Sequence, residues 1–121
     1  MKPHINESIF GSITIEYMVF NHDVIIGLDG QVKKRRKKLS VKVYGTSHII
    51  SLKEIQYVYD EGATLLILGC GQYSRARLST EAEEYLKTHK CKVKSLNTEG
   101  AIEAWNESRG EKTIGLFHVT C

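Results

Sequence analysis

Ala63-Thr64-Leu65-Leu66-Ile67-Leu68-Gly69-Cys70-Gly71 is the stretch that decides the fold. Apart from Thr64, residues 63–68 are continuously apolar, and glycines bound the run. A strand without polar alternation is buried on both faces, as inner strands of mainly parallel sheets are. Upstream, Ser51 and Glu54 form a capping box, Leu52, Ile55, Val58 and Tyr59 follow at helical spacing, and Gly62 is the stop. Downstream, Thr80 with Glu83 opens a second helix to about His89, burying Ala82, Tyr85 and Leu86. Residues 91–96 read as a strand. Thr98 then caps a third helix carrying Ala101, Ile102 and Trp105 and ending at Gly110, and residues 114–119 close the sheet. From residue 51 the order helix, strand, helix, strand, helix, strand predicts a mainly parallel sheet with right-handed crossovers.

The first half has the other period. Ile9, Ile13, Ile15 and Val24-Ile25-Ile26 lie in β-branched runs broken by Gly11, Asn21-His22-Asp23, Gly27 and Asp29-Gly30. Residues 8–43 are predicted as antiparallel hairpin strands. Leu39-Ser40-Val41-Lys42-Val43-Tyr44, which alternates, would pair near Val32. The whole, residues 1–121, reads as one domain: a β-rich hairpin part (1–44) and an alternating helix/strand part (45–121).

The chain has 121 residues, enough for a core without staples. Its 41% hydrophobic and 26% charged residues are those of an ordinary globule. No apolar stretch approaches the ~20 residues of a membrane helix. Residues 1–7 lack the basic start and apolar run of a signal peptide, so the expected location is cytoplasmic. Cys70, Cys91 and Cys121 are widely spaced and odd in number, against both a disulfide framework and a structural zinc site. The net charge of +3 conceals the run Lys33-Lys34-Arg35-Arg36-Lys37-Lys38, outside which acidic residues outnumber basic ones.

Three places can carry chemistry. Gly69-Cys70-Gly71 ends a buried strand, where backbone amides gather around anions, and Arg75 and Arg77 follow it. The same glycines also suit a tight strand-to-loop turn, and Ser74 stands where a dinucleotide fingerprint has its third glycine. His48, in the polar turn Gly45-Thr46-Ser47-His48, and His118 sit in distinctive contexts. Pleating puts His118 on one face with Leu116 and Thr120, opposite Phe117, Val119 and Cys121, which disfavours a direct His118–Cys121 couple. Cys121 itself is expected to be packed against the domain, its thiol poorly reactive and its carboxyl oxygens near a cation or a backbone N–H. Asn106, beside the core residue Trp105, is a candidate polar anchor at a cleft.

Taken together, Gly45-Thr46-Ser47-His48, Leu65-Leu66-Ile67-Leu68-Gly69-Cys70-Gly71, Thr98, Ala101, Asn106 and Phe117-His118-Val119-Thr120-Cys121 resemble the motifs of a small α/β family. Its members include an adipogenesis-associated vertebrate protein, the third assembly factor of mitochondrial complex I, and archaeal and bacterial single-domain proteins. The resemblance implies an α/β fold of three layers: a central mixed sheet, helices on one side, and an additional N-terminal β-hairpin layer. It implies no catalytic residues. Its mitochondrial branch acts in assembly.

The leading functional reading is a non-enzymatic binding or assembly module with a protein partner on Lys34, Arg35, Arg36 and Lys37. The alternative is a small enzyme or ligand-binding protein for an anionic small molecule, using Thr46, His48, Gly69, Cys70, Gly71, Arg75, Arg77, Asn106, His118 and Cys121. No cofactor or metal is expected. Nucleic acid is disfavoured because no aromatic residues interleave with the basic run.

Overall fold

The computed structural model describes residues 2–109 and 112–121. The first third contributes five short strands: β1 (Ile5–Ile9), β2 (Ser12–Ile15), β3 (Met18–Phe20), β4 (Val24–Ile26) and β5 (Val32–Lys34). Then come helix α1 (Lys38–Tyr44), β6 (Ile49–Ile50), α2 (Leu52–Val58), β7 (Leu65–Cys70) and β8 (Arg77–Leu78). The chain closes with α3 (Thr80–Thr88), β9 (Lys92–Leu96), α4 (Thr98–Glu107) and β10 (Thr113–His118).

The apolar run becomes β7, next to the centre of a five-stranded mixed sheet ordered β5-β4-β10-β7-β9. β7 pairs in parallel with β10 and β9, and β10 pairs antiparallel with β4. Strands β1-β2-β3 form a separate antiparallel sheet, and β6 and β8 a short parallel pair. Alternation along β7 and β10 divides the core. Leu66, Leu68, Ile114 and Leu116 meet Ile55, Ala82 and Leu86 of α2 and α3 on one face. Ile67 and Phe117 meet Ile5, Ile13 and Ile15 together with Ala101, Ile102 and Trp105 on the other. The hairpin layer is therefore present, and α4 shares its face while α2 and α3 cover the opposite one. Gly69 and Gly115 permit that, since a Cβ on Gly69 would press on Phe117 at 3.0 Å and one on Gly115 on Trp105 at 3.1 Å.

Several local expectations are corrected. Residues 38–44 form helix α1, not a strand, so β5 pairs with β4 alone. Only Ser40 of α1 is buried, and Val41 and Val43 face out. The helix is held by hydrogen bonds from Ser40 instead of by an apolar stripe, which overrides the alternating pattern. Ser51 caps α2 by accepting from the Glu54 amide at 3.2 Å, but the Glu54 carboxylate turns inward and does not complete the box. That helix ends at Val58, before Gly62, as Asp60 leaves it to accept from the Leu28 amide at 2.8 Å. Ser79 and Asn97, one residue earlier than expected, cap α3 and α4. The predicted stop at Gly110 lies outside the described residues.

Candidate functional site

The parallel strands β7 and β10 end side by side, with Cys70 in register with His118. Beside them the antiparallel β4 begins, so Asp23, the residue just before it, arrives at the same end of the sheet. Asp23 Oδ2 accepts from His118 Nδ1 at 2.7 Å and from Arg35 Nη1 at 2.9 Å, and Oδ1 accepts from the Val119 amide at 2.8 Å. A carboxylate only accepts, so Nδ1 carries the proton and Nε2 is turned to Thr120 Oγ1, 3.2 Å away. Burial would push the Asp23 carboxyl up. The His118 hydrogen bond and charge, the Val119 amide and Arg35 outweigh it and bring it down to about 2.

Arg35 is the hub. Its Nε and Nη2 grip Glu54 at 2.5 and 3.0 Å, and Nη2 also donates to the Ser47 carbonyl at 2.7 Å. It is 4% exposed and Glu54 is fully buried. Burial alone would make the guanidinium easier to deprotonate, but Glu54 and Asp23 reverse that and raise its pKa. Ser40 donates to Glu54 and accepts from the Ser51 amide, tying α1 to the start of α2. Arg35, read from the sequence as part of the exposed stripe, is thus an interior residue. A buried guanidinium between two carboxylates is stable only with every partner in place.

The turn 45–48 is built around this hub. Gly45 ends α1 at φ 71°, and the Thr46 hydroxyl accepts from the His48 amide at 3.1 Å. His48 lies edge-on to His118 with ring centroids 5.5 Å apart. Its pKa is lowered by burial first, then by His118, Arg75 and Arg35.

The Gly69–Gly71 turn has other work. The Gly71 amide donates to Thr98 Oγ1 at 2.9 Å, and that hydroxyl donates to the His118 carbonyl at 2.5 Å. Gln72, Ser74, Arg75 and Ala76 give their amides to Thr120, Gly71, Cys121 and Cys70 carbonyls respectively. These amides close the chain on itself and do not face outward to cradle an anion. Arg75 and Arg77 have exposed side chains. The Arg75 charge reaches His48, and the Arg77 amide donates to the His48 carbonyl at 2.8 Å. Asn106 pairs both ways with the Ile5 backbone, accepting at 3.0 Å and donating at 2.8 Å, and so docks β1 on α4. Cys121 is half-buried, with its carbonyl oxygen on the Arg75 amide at 3.1 Å. Cys70 is buried with its thiol pKa raised, and Cys91 is pushed by burial to about 11. Among the described residues no cysteine hydrogen-bonds to a histidine, and no three metal-ligating side chains cluster.

Of the candidates, the fold brings His48 against His118, with Gly71 and Cys121 close by. Cys70 neighbours His118 by strand register, its thiol on the Leu68 carbonyl, and Asn106 lies at the far end of α4. Asp23 and Glu54 were not singled out from the sequence. Each is a single carboxylate whose partners lie on other elements, and Glu54 looked like half of a capping box.

Two depressions open here. One, of about 390 Å³, is lined by Asp23, His118 and Thr120 and rimmed by Lys34 and Lys37. The other, of about 540 Å³, is walled by Leu39 and the side chains of Arg36, Lys38 and Lys42, and shares Lys34, Arg35 and Lys37 with the first.

A five-stranded mixed sheet with a β-hairpin layer and a polar cluster at its carboxyl end defines a small single-domain α/β class. Residues 5–117 match the family described as a protein of unknown function (DUF498/DUF598), and the chain belongs to that family. A conserved hypothetical protein, PH1505 from Pyrococcus horikoshii OT3, is 30% identical over 100% of both chains, with a TM-score of 0.91. The structure titled MT938 is 29% identical over 99% of this chain and 100% of its own, with a TM-score of 0.82. A Bordetella parapertussis protein shares the fold at 18% identity over 98% and 96% of the two chains, with a TM-score of 0.74. Among the described residues no helix is long and apolar enough to cross a membrane.

Proposed function

We propose that the chain is a docking module for an acidic segment of a partner protein, received on the cations between β5 and α1. The interior position of Arg35 carries this reading. With its guanidinium fastened to Glu54, Asp23 and Ser47, the backbone on either side is anchored. Lys34, Arg36 and Lys37 are then displayed from a fixed scaffold around a groove, whereas a basic tail would spread them at random. Arg36 is steadied over the Tyr57 ring at 4.9 Å. Leu39 and the aliphatic stems of the lysines supply apolar wall, and the ammonium groups supply charge. A partner-binding role is in keeping with the assembly-factor branch that the motifs resemble. Kinship with that branch and with the adipogenesis-associated protein belongs to this proposal, as does a cytoplasmic location.

Fluorescence anisotropy with a labelled peptide of alternating Glu and Leu tests it. The expected result is binding that weakens with salt and drops at least about tenfold when Lys34→Glu and Lys37→Glu are combined, since each contact reverses sign. Unchanged affinity in that variant would refute docking on this surface. Tighter binding of a DNA duplex than of the peptide would replace the acidic protein segment with nucleic acid.

A second reading has a specific observation behind it. On this reading a small anion would sit in the 390 Å³ cleft, which His118, Thr120, Lys34 and Lys37 all line, and not at the glycine turn, whose amides are spent.

A further inference from the structure

Asp23, His118 and Thr120 form a continuous chain of hydrogen bonds that ends at a hydroxyl on the cleft wall. Asp23 Oδ2 holds His118 Nδ1 at 2.7 Å, and His118 Nε2 faces Thr120 Oγ1 at 3.2 Å. The imidazole is 4% exposed and cannot turn without breaking the Asp23 bond, which fixes which nitrogen carries the proton. Asp23 is itself fixed by the Val119 amide and Arg35. Thr120 is partly exposed and lines the cleft, so its hydroxyl is open to a small molecule there. A nucleophile within reach of a base that a third group orients is the minimal constellation for covalent acyl transfer.

We infer that Thr120 is a nucleophile and His118 its general base in an esterase site for small acyl esters that carry an anionic group. Asp23 is a positioning residue, acting only through the imidazole. In the first step Thr120 Oγ bonds to the acyl carbon and its proton passes to His118 Nε2. The ester C–O bond then breaks and the same proton goes to the departing alkoxide, giving an alcohol and an O-acyl threonine. In the second step a water gives its proton to Nε2 and its oxygen to the acyl carbon. The acid leaves, and the proton returns to Thr120 Oγ. No oxidant or cofactor enters the balance. Lys34 and Lys37 on the rim would hold the anionic group. That last point alone rests on the small-anion reading above; the chemistry does not.

The test uses 4-nitrophenyl acetate and its 3-carboxy derivative, each rate divided by its uncatalysed rate, in a Cys121→Ser background so that the neighbouring thiol does not contribute. Peptide mass spectrometry of the protein quenched during turnover should find the acetyl group on Thr120. Thr120→Val, a change at a half-exposed position, should cost about a hundredfold or more, and Thr120→Ser should recover most of it. His118→Gln should lose as much, provided circular dichroism shows it folded. No hydrolysis above background, an adduct elsewhere, or full activity in Thr120→Val would overturn the assignment. Equal relative rates for the two esters would remove the anion preference and leave the acyl transfer standing.

Discussion

Gly71 stands at φ +98° between the end of β7 and the closing segment, and a side chain there has nowhere to go. A Cβ would strike the Cys121 carbonyl group and come within 2.8 Å of His118 Cδ2. Strain and collision combine, so Gly71→Ala is expected to cost about 2 kcal/mol or more. Gly45, at φ 71° with nothing within 4 Å of an added Cβ, should cost about 1 kcal/mol or less. Urea denaturation of the two variants checks the order. Asp23 gives a pH dependence of known sign. Its carboxyl lies at about 2 in the folded protein against 3.8 ordinarily. A group lowered by folding stabilises above its unfolded pKa and loses that contribution as pH falls toward its folded one. The loss is therefore expected between about pH 4 and pH 2, and amounts to about 2 kcal/mol. Asp23→Asn, though less stable at neutral pH, should have the flatter profile across that window in denaturant midpoints; a parallel decline would contradict it. Cysteine reactivity orders the same way as burial. Cys121, half-buried, should react with a disulfide reagent before Cys70 and Cys91, whose thiols burial pushes up.

At the scale of elements, the basic run splits into an anchor and a display. Arg35→Met should destabilise by about 3–5 kcal/mol, because Asp23 and Glu54 would remain buried without their cation. Lys34→Met, on an exposed neighbour, should stay within about 0.5 kcal/mol of the parent. Similar costs for the two, measured by chemical denaturation, would mean the run acts as one surface stripe. Helix α1 depends on the same anchor. Ser40 is its single buried residue and bonds to Glu54 and Ser51, so a helix with exposed Val41 and Val43 survives on polar contacts. That is why it was illegible in the sequence. Leu39, Val41 and Val43 alternate like a strand, and nothing local announces that Ser40 will meet a carboxylate from the next helix.

Across the whole molecule, what could be read in advance depended on how local its cause was. The inner strand β7 and the alternation after residue 51 were legible because apolar runs, caps and glycine stops lie within a few residues of each other. The hairpin strands were legible from β-branched runs and turn glycines and their place as a layer from the family resemblance, whereas the sharing of one face by α4 and that layer was not. The sharing follows from Gly69 and Gly115, which let Trp105 and Phe117 approach, a matter of packing between distant segments. His118 and His48 stood out by their contexts and do meet. Asp23 and Glu54, which hold the site together, are ordinary acidic residues until the fold places Arg35 between them.

The docking surface is tested most directly by two-dimensional ¹H–¹⁵N NMR of the intact protein, titrated with the acidic peptide. Shifts confined to Lys34, Arg36, Lys37, Leu39 and the neighbouring cleft residues Ser47 and Thr120, abolished by moderate salt, are the expected result. Shifts centred instead on Arg75 and Arg77, or scattered over every lysine of the surface, would contradict it.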